Sequence, residues 1–247
     1  MREIAALLIA AATLALVAPV LAAPATIPDG NTLIVGGVTY RLDGIDAPQT
    51  DQTCLDDKGA AWICGIEARD RLREHVGQRD VRCTDHGADS SAGKRRIGEC
   101  FAADETVSLN QWMVRQGWAL NLGRSVKSRF KAERDAASAA REGLWKGCFV
   151  APDDLRRISI STAAMLGAAC PRPGNWKARE TMFPEFPVMP TGCDIKGKSV
   201  LRSQVAGYRG IYHLPSCRSH PRTRPVHRWF CSEEEAQAAG FRKSYTC

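Results

Sequence analysis

The stretch from Val38 to Gln49, V-T-Y-R-L-D-G-I-D-A-P-Q, constrains the fold of this chain more than any other. Its first half alternates β-branched or aromatic residues with polar ones, which is typical of a β-strand. Gly44 indicates a bulge or a close backbone approach, and Pro48 ends the strand in a turn. Arg41 and Asp46 are therefore expected at the same end of a sheet. This pair suggests a phosphate clamp beside a metal ligand, and a surface salt bridge is the simpler alternative.

The N-terminal residues 1–22 are predicted to be a secretory signal peptide. Arg2 precedes an apolar run from Ile4 to Leu21, and small residues follow the run. We expect cleavage after Ala22, which leaves a mature chain that begins at residue 23. An uncleaved membrane anchor is the alternative, because the run is only just long enough to span a bilayer. No later segment is apolar enough to span, so a periplasmic or secreted protein is expected.

Ten cysteines are present, and an even number in an exported protein indicates disulfide bonds. The expected pairs are Cys54–Cys64, Cys83–Cys100, Cys148–Cys170, Cys193–Cys231 and Cys217–Cys247. The alternative for the last four cysteines is a zinc site that includes nearby histidines, namely His213, His220 and His227. These cysteines show no C-x-x-C spacing, which argues against zinc.

The positive charge of the chain lies in its C-terminal part. Residues 1–150 hold 19 Lys+Arg and 19 Asp+Glu, whereas residues 151–247 hold 15 and 8, a difference equal to the formal net charge of +7. A basic segment of this kind can bind nucleic acid or an anionic envelope surface. A solvated tail that aids solubility is the alternative.

Periodicity and turn residues predict short strands and helices in the order β-β-α-β-β-α-β-α. The predicted strands cover residues 27–35, 38–49, 81–84, 95–103 and 118–121, and the predicted helices cover residues 65–76, 107–116 and 129–141. This order suits an α+β fold in which a five-stranded OB-type β-barrel carries three helices, over residues 23–150.

Two further segments follow the predicted barrel. The prolines of residues 151–192 predict a linker. Residues 193–247 are expected to form a small basic module that contains cysteines. Within it, Ser232 and Glu235 have the spacing of a capping box at the start of a short helix.

Residues 27–149 resemble the thermonuclease (staphylococcal nuclease-like) family, in its exported, cystine-containing bacterial branch. The segments that carry the resemblance are D-G-N-T at 29–32, Y-R-L-D-G-I-D-A-P-Q at 40–49, K-R-R-I-G-E-C at 94–100, N-Q-W-M-V-R-Q-G-W-A at 110–119 and G-L-W at 143–145. The tail at 193–247 resembles a small module found at the end of exported nucleases and envelope proteins. The resemblance implies Ca²⁺-dependent hydrolysis of DNA or RNA.

The resemblance also implies roles for individual residues. Arg41 and Arg95 match the two arginines that hold the phosphate, and Arg96 is the alternative to Arg95. Asp46 matches a metal ligand, and Thr32 matches a residue near the water shell of the metal. Hard oxygen ligands suit Ca²⁺, and the metal and the guanidiniums would stabilise the charge of a pentavalent phosphorus.

Several positions depart from the family pattern. Asn31 stands where the family has an aspartate ligand, and Gln49 stands where it has the glutamate base. An Asn carbonyl can ligate Ca²⁺ with less charge, whereas a Gln side chain cannot accept a proton. Asp51 is the expected stand-in if another carboxylate serves as base. Ser91 and Gly93 replace an Asp and a Tyr of the family.

These residues leave three hypotheses open. The first is an exported nuclease, weakened at Asn31 and Gln49, that acts on single-stranded DNA or RNA. The second is a catalytically silent OB-fold that binds nucleic acid or another polyanion through Arg41, Arg95 and the basic tail. The third is an envelope structural or interaction protein in which the barrel is a scaffold for the tail.

Overall fold

The computed structural model describes residues 23–90, 94–122, 129–157, 163–171, 176–200 and 207–247. The predicted signal peptide, Ser91 and Gly93 lie outside these ranges. Within them, no helix combines the length and the apolar character needed to cross a membrane.

The strands of the described residues are, in chain order, β1 (Ala23–Asp29), β2 (Thr32–Val35), β3 (Val38–Leu42), β4 (Ile45–Asp46), β5 (Thr53–Leu55), β6 (Ala61–Ile63), β7 (Asp80–Ala88), β8 (Arg96–Ala102), β9 (Leu120–Asn121), β10 (Phe149–Val150), β11 (Met165–Leu166), β12 (Ile195–Lys198), β13 (Gly210–His213), β14 (Arg228–Phe230) and β15 (Phe241–Lys243). The α-helices are α1 (Cys64–Val76), α2 (Leu109–Arg115), α3 (Lys131–Ala140), α4 (Pro152–Arg157), α5 (Trp176–Met182) and α6 (Glu233–Ala238). Short 3-10 helices cover Gly143–Lys146 and His220–Arg222.

Five strands close into a barrel in the order β1-β2-β3-β8-β7, which confirms the predicted architecture. Neighbouring strands are antiparallel, except that β3 and β8 are parallel. The interior is filled by buried apolar side chains of the strands and of α1 and α2, among them Leu33, Leu42, Leu72, Val81 and Leu109. Burial of each such side chain contributes about 1.5–3 kcal/mol, so this core is the main source of stability.

Three of the predicted strands are wrong in extent or position. The stretch 38–49 is divided into β3 and β4, and β4 lies outside the barrel. The stretch 27–35 is divided into β1 and β2, because Asp29 Oδ1 accepts the backbone N–H of Asn31 at 2.6 Å and closes a turn between them. The predicted strand at 118–121 lies outside the barrel, where β9 pairs with β4 in a separate sheet. The fifth barrel strand is therefore β1.

The three predicted helices of the barrel domain are confirmed, with changed ends. Helix α1 ends before Gly77, whose φ of +58° suits glycine and whose N–H donates to the carbonyl of Arg73 at 2.8 Å. Helix α2 begins after Ser108, because the Ser108 hydroxyl accepts the backbone N–H of Gln111 at 3.2 Å.

All five predicted disulfide pairs are present: Cys54–Cys64, Cys83–Cys100, Cys148–Cys170, Cys193–Cys231 and Cys217–Cys247. No cysteine remains as a free thiol. The zinc alternative for the last four cysteines is therefore wrong, because a cysteine in a disulfide has no thiolate to offer a metal.

The segment 151–192, for which we expected a linker, contains α4, β11 and α5. Strand β11 pairs with β10 at the end of the barrel domain, and Cys170 is bonded to Cys148. Met182 at the end of α5 is buried against Leu55 and Cys148. Apolar side chains thus fix much of this segment to the barrel.

The C-terminal module is a four-stranded sheet, in the order β14-β12-β13-β15, with helix α6. Among the described residues of the module, six form its core, namely Ile195, Tyr212, Phe230, Ala236, Ala239 and Phe241. A core of this size is marginal by itself, so its two disulfides are an important part of its stability.

Candidate functional site between barrel and module

A cavity of about 440 Å³ lies between the barrel and the C-terminal module. The barrel wall carries Asp29, Thr32, Arg41, Asp46 and Arg95. The module wall carries Arg209, Glu235 and residues 238–240. The structure thus brings the two predicted phosphate-binding arginines together with predicted metal-site residues.

Arg41 reaches the cavity from the last part of β3. Its partner across the sheet is Thr32 of β2, so the two side chains lie side by side on one face of the barrel. The Arg41 Nη2 donates to the carbonyl of Ile45 at 3.3 Å and lies 3.9 Å from Asp46 Oδ1. The Asp46 side chain is only 3% exposed. The guanidinium is therefore held against the turn, as the sequence predicts.

Arg95 and Arg96 face opposite sides of the barrel. The Arg95 side chain is 4% exposed, and its Nε and Nη2 donate to Asp89 Oδ2 at 2.8 and 2.6 Å. Arg96 forms a two-pronged pair with Asp85 at 2.7 and 2.8 Å on the outer surface. Of the two alternatives, Arg95 is the arginine that lines the cavity.

Asp29 is a buried carboxyl of this cavity to which the sequence analysis assigned no role. Burial raises the pKa of Asp29 above its ordinary value, although its bond with the Asn31 N–H and the charges of Arg95 and Arg41 lower it in part. Asp29 therefore retains a proton more readily than an exposed aspartate.

Asn31 ties the β1–β2 turn to the turn after β4. Its Nδ2 donates to the carbonyl of Ala47 at 3.0 Å, and the Ala47 N–H donates to its Oδ1 at 2.6 Å. The two turns approach closely because position 30 is glycine: a Cβ there would lie 2.8 Å from Ala47 Cβ. The Asn31 side chain is thus engaged with the backbone.

This arrangement does not offer calcium the ligand set that the family resemblance implies. The Asn31 oxygen is used by a backbone N–H, and it lacks the charge of the aspartate it replaces. Of the two aspartate ligands that the resemblance implies, only Asp46 is present. No step of the chemistry below is therefore assigned to a metal.

Gln49, at the predicted base position, is bound by the module. Its Oε1 accepts a hydrogen bond from Arg228 Nη2. The Gln49 backbone packs directly against Gly65 at the start of α1. A Cβ at Gly65 would lie only 1.7 Å from the Gln49 carbonyl oxygen, so this approach requires glycine. The same Arg228 donates from Nε and Nη2 to Asp51 at 2.5 and 2.6 Å, and the Trp229 N–H donates to Asp51 at 3.1 Å. Asp51 lines a different cavity, so the structure does not place it as a stand-in base.

Thr50, between these two residues, is bound by Glu235 of the module. Glu235 Oε1 accepts the Thr50 backbone N–H at 3.0 Å and the Thr50 hydroxyl at 2.7 Å. Glu235 Oε2 accepts the Cys231 N–H at 2.9 Å. Burial raises the pKa of Glu235 to about 7, and the negative charges of Asp29 and Asp51 add to the rise.

The cavity carries more carboxyl groups than guanidiniums among its described side chains, five against three. The pKa values of Asp29 and Glu235 are both raised, chiefly by burial. Protons on these two groups would make the site less repulsive toward a phosphate. The cavity is therefore more favourable to an anion than its formal charge indicates.

Arg228, Glu235 and Asp29 are site residues that were not predicted from the sequence. Asp29 lies in the D-G-N-T segment, so the motif itself could have pointed to it. The other two lie far along the chain from the turn that they bind, at separations of 177 to 185 residues. No local pattern signals a contact of that range.

Comparison with known proteins agrees with this geometry. The model of the family described as staphylococcal nuclease homologue matches residues 39–147. A curated relative is the succinoglycan biosynthesis protein ExoI of Rhizobium meliloti (strain 1021), which is 31% identical over 123 residues. The match covers 49% of this chain and 63% of that protein, so less than two thirds of the relative's length is represented. Residues 39–147 are therefore a staphylococcal nuclease-like domain.

Proposed function

We propose that the protein is an exported phosphodiesterase that cleaves single-stranded nucleic acid in the cavity between barrel and module. The observation that carries this proposal is that Arg41 and Arg95 share one cavity with Asp46. Two guanidiniums can grip the non-bridging oxygens of a phosphate and stabilise the charge that develops on phosphorus during hydrolysis. The ion pairs with Asp46 and Asp89 hold both arginines before a substrate arrives.

The shape of the cavity supports a single-stranded substrate. Its volume of about 440 Å³ is that of a small-molecule site, and the module closes one side of it. One phosphodiester link with its neighbouring sugars fits such a space, whereas a duplex is far wider. Thr32, opposite Arg41 on the sheet, can donate its hydroxyl to the same phosphate.

Two further features of the proposal concern compartment and calcium. Five disulfides are typical of an oxidising compartment, which supports a periplasmic or secreted protein. Members of the family are typically calcium-dependent, but the ligand set around Asn31 fits calcium poorly. The proposed mechanism therefore includes no calcium ion, and the experiment compares cleavage with and without calcium.

A second candidate function is binding of nucleic acid without cleavage. It is favoured by Gln49, which cannot accept a proton and whose Oε1 is already bound by Arg228. In this case Arg41 and Arg95 would retain the phosphate grip, and the basic C-terminal part would add long-range attraction.

The test is a cleavage and binding assay on the full oxidised protein with labelled single-stranded DNA and RNA oligonucleotides. Each is incubated with millimolar Ca²⁺ or with EDTA. The variant Arg41→Ala removes a cavity guanidinium, and Arg96→Ala removes an outer one as the matched control. Cleavage that is lost in Arg41→Ala and kept in Arg96→Ala supports the phosphodiesterase. Binding without cleavage, weakened only by Arg41→Ala, supports the second function.

A further inference from the structure

We infer that Glu235, supplied by the C-terminal module, is the general base of the reaction in place of the side chain at position 49. The inference deepens the proposed phosphodiesterase function and rests on it. It identifies the module as a part of the active site, because the barrel turn at Gln49–Asp51 provides no carboxylate to the cavity.

The position of Glu235 in the module favours this role. Ser232 caps α6 by accepting the Glu235 N–H at 3.1 Å, which is the first half of the predicted capping box. The second half is absent: the Glu235 carboxylate bonds to Cys231 and to Thr50 of the barrel, and not to the N–H of Ser232. The Glu235 carboxylate therefore lies at the wall of the cavity that Arg41 and Arg95 also line.

The hydrogen-bond pattern leaves Glu235 with capacity for one more proton donor. The described residues direct three hydrogens at its carboxylate, from the Thr50 N–H, the Thr50 hydroxyl and the Cys231 N–H. An ionised carboxylate has about four lone-pair sites. The remaining site can accept a hydrogen from a water molecule in the cavity.

The electrostatic surroundings support the same role. Charged groups near Glu235 on the elements packed against it include Asp29 at the end of β1, Asp51 after β4, Arg228 of β14, and Glu233 and Glu234 on α6. The charged side chains of Arg41, Asp46, Arg95 and Arg209 line the same cavity. Burial first, and then Asp29 and Asp51, raise the pKa of Glu235 to about 7. A general base is most effective when its pKa lies near the working pH.

Asp51, the alternative base, is disfavoured by its contacts. Arg228 and the Trp229 N–H direct three hydrogen bonds at its carboxylate, so most of its lone-pair sites are already occupied. Asp51 lines a second cavity, which neither Arg41 nor Arg95 lines.

The proposed step balances with water as the only co-reactant. Glu235 takes a proton from water, and the water oxygen forms a bond to phosphorus. The bond from phosphorus to one ester oxygen breaks, and its electron pair goes to that oxygen, which then takes up a proton from Glu235 or solvent. The products are one phosphomonoester end and one hydroxyl end. Arg41 and Arg95 hold the non-bridging oxygens throughout.

The experiment compares Glu235→Gln with Glu234→Gln, the same substitution one residue earlier on the same helix and outside the cavity wall. Cleavage rate against pH, oligonucleotide affinity and melting temperature are measured for each and for the parent. We expect Glu235→Gln to lower kcat by about 10²–10⁴-fold with affinity within about twofold, and to abolish the rise of rate with pH near 7. Glu234→Gln should match the parent.

Several outcomes would overturn the inference. One is a Glu235→Gln protein that cleaves like the parent, and another is a parent whose rate does not rise near pH 7. A loss of cleavage that follows an equal loss of binding and melting temperature would assign Glu235 to docking alone. Regained cleavage in the double variant Gln49→Glu/Glu235→Gln would support the inference, because position 49 of the barrel would then supply the carboxylate that position 235 has lost. A parent without any cleavage would overturn the proposed function itself, which is a different result.

Discussion

Arg228 of the module donates to both carboxylate oxygens of Asp51 in the barrel, from Nε at 2.5 Å and from Nη2 at 2.6 Å. The Asp51 side chain is 3% exposed, and the Arg228 side chain is 21% exposed. The pair is a bidentate ion pair across the interface between the barrel and the C-terminal module. With the Glu235–Thr50 contact beside it, this pair fixes the module over the cavity.

The first prediction concerns this pair. Arg228→Ala would leave Asp51 buried without its guanidinium, which should lower the free energy of unfolding by about 3 kcal/mol. Urea denaturation followed by tryptophan fluorescence measures the change. Arg134→Ala is the control, because Arg134 forms its ion pair with Asp135 at the surface, and it should cost less than about 1 kcal/mol. Equal losses in the two variants would contradict a docking role for Arg228.

The second prediction separates neighbouring arginines. Arg95→Ala should weaken the binding of a single-stranded oligonucleotide by about tenfold or more, because it removes a buried charged donor from the cavity. Arg96→Ala removes the same charge from the outer surface and should change the affinity by less than about threefold. Fluorescence anisotropy at about 0.15 M salt measures both, since lower salt exaggerates surface charges. A larger effect of Arg96→Ala would reverse the assignment.

The third prediction concerns calcium and position 31. The melting temperature of the parent should be the same with calcium and with EDTA, because Asn31 is engaged with Ala47. Asn31→Asp loses the donor to the Ala47 carbonyl and adds a charge near buried Asp29. It should therefore destabilise the calcium-free protein by about 1–3 kcal/mol. Calcium should then raise the melting temperature of the variant and not that of the parent; a calcium-stabilised parent would contradict this.

The fourth prediction concerns the pH dependence of stability. The pKa of Glu235 in the folded protein, about 7, lies above its ordinary value of 4.5, so folding favours the protonated form. This contribution to stability is complete below about pH 4.5 and is lost as the pH rises through about 7. Relative to Glu235→Gln, the parent should lose about 2–3 kcal/mol of unfolding free energy between about pH 5 and pH 8. A constant difference between parent and variant would refute the raised pKa.

The barrel could be predicted because its signals are local. Alternation in Val38–Leu42, the glycine after α1 and the motif residues all act within a few positions of the elements that they define. The errors arose where side chains overrode the strand pattern. The Asp29–Asn31 bond divided one predicted strand, and the short β9 found its partner in β4 and not in the barrel.

The site could be predicted only on its barrel side. Arg41, Arg95 and Asp46 follow from motifs within the barrel, and the structure brings them to one cavity. Glu235 was assigned a local helix-capping role, because the spacing from Ser232 is a sufficient explanation within the helix. Its contact with Thr50 depends on how the module packs on the barrel, and tertiary packing of this kind has no signature in a single sequence.

The five disulfides do not link the barrel covalently to the C-terminal module. Three of them join residues within 54–170, and two join residues within 193–247, so none crosses residues 171–192. A single proteolytic cut in that segment would release two fragments with no covalent connection. Their association would then depend on dilution, because the backbone tether that supplies a high effective concentration would be gone. The same partition makes it feasible to supply the module as a separate chain and to titrate it against the barrel.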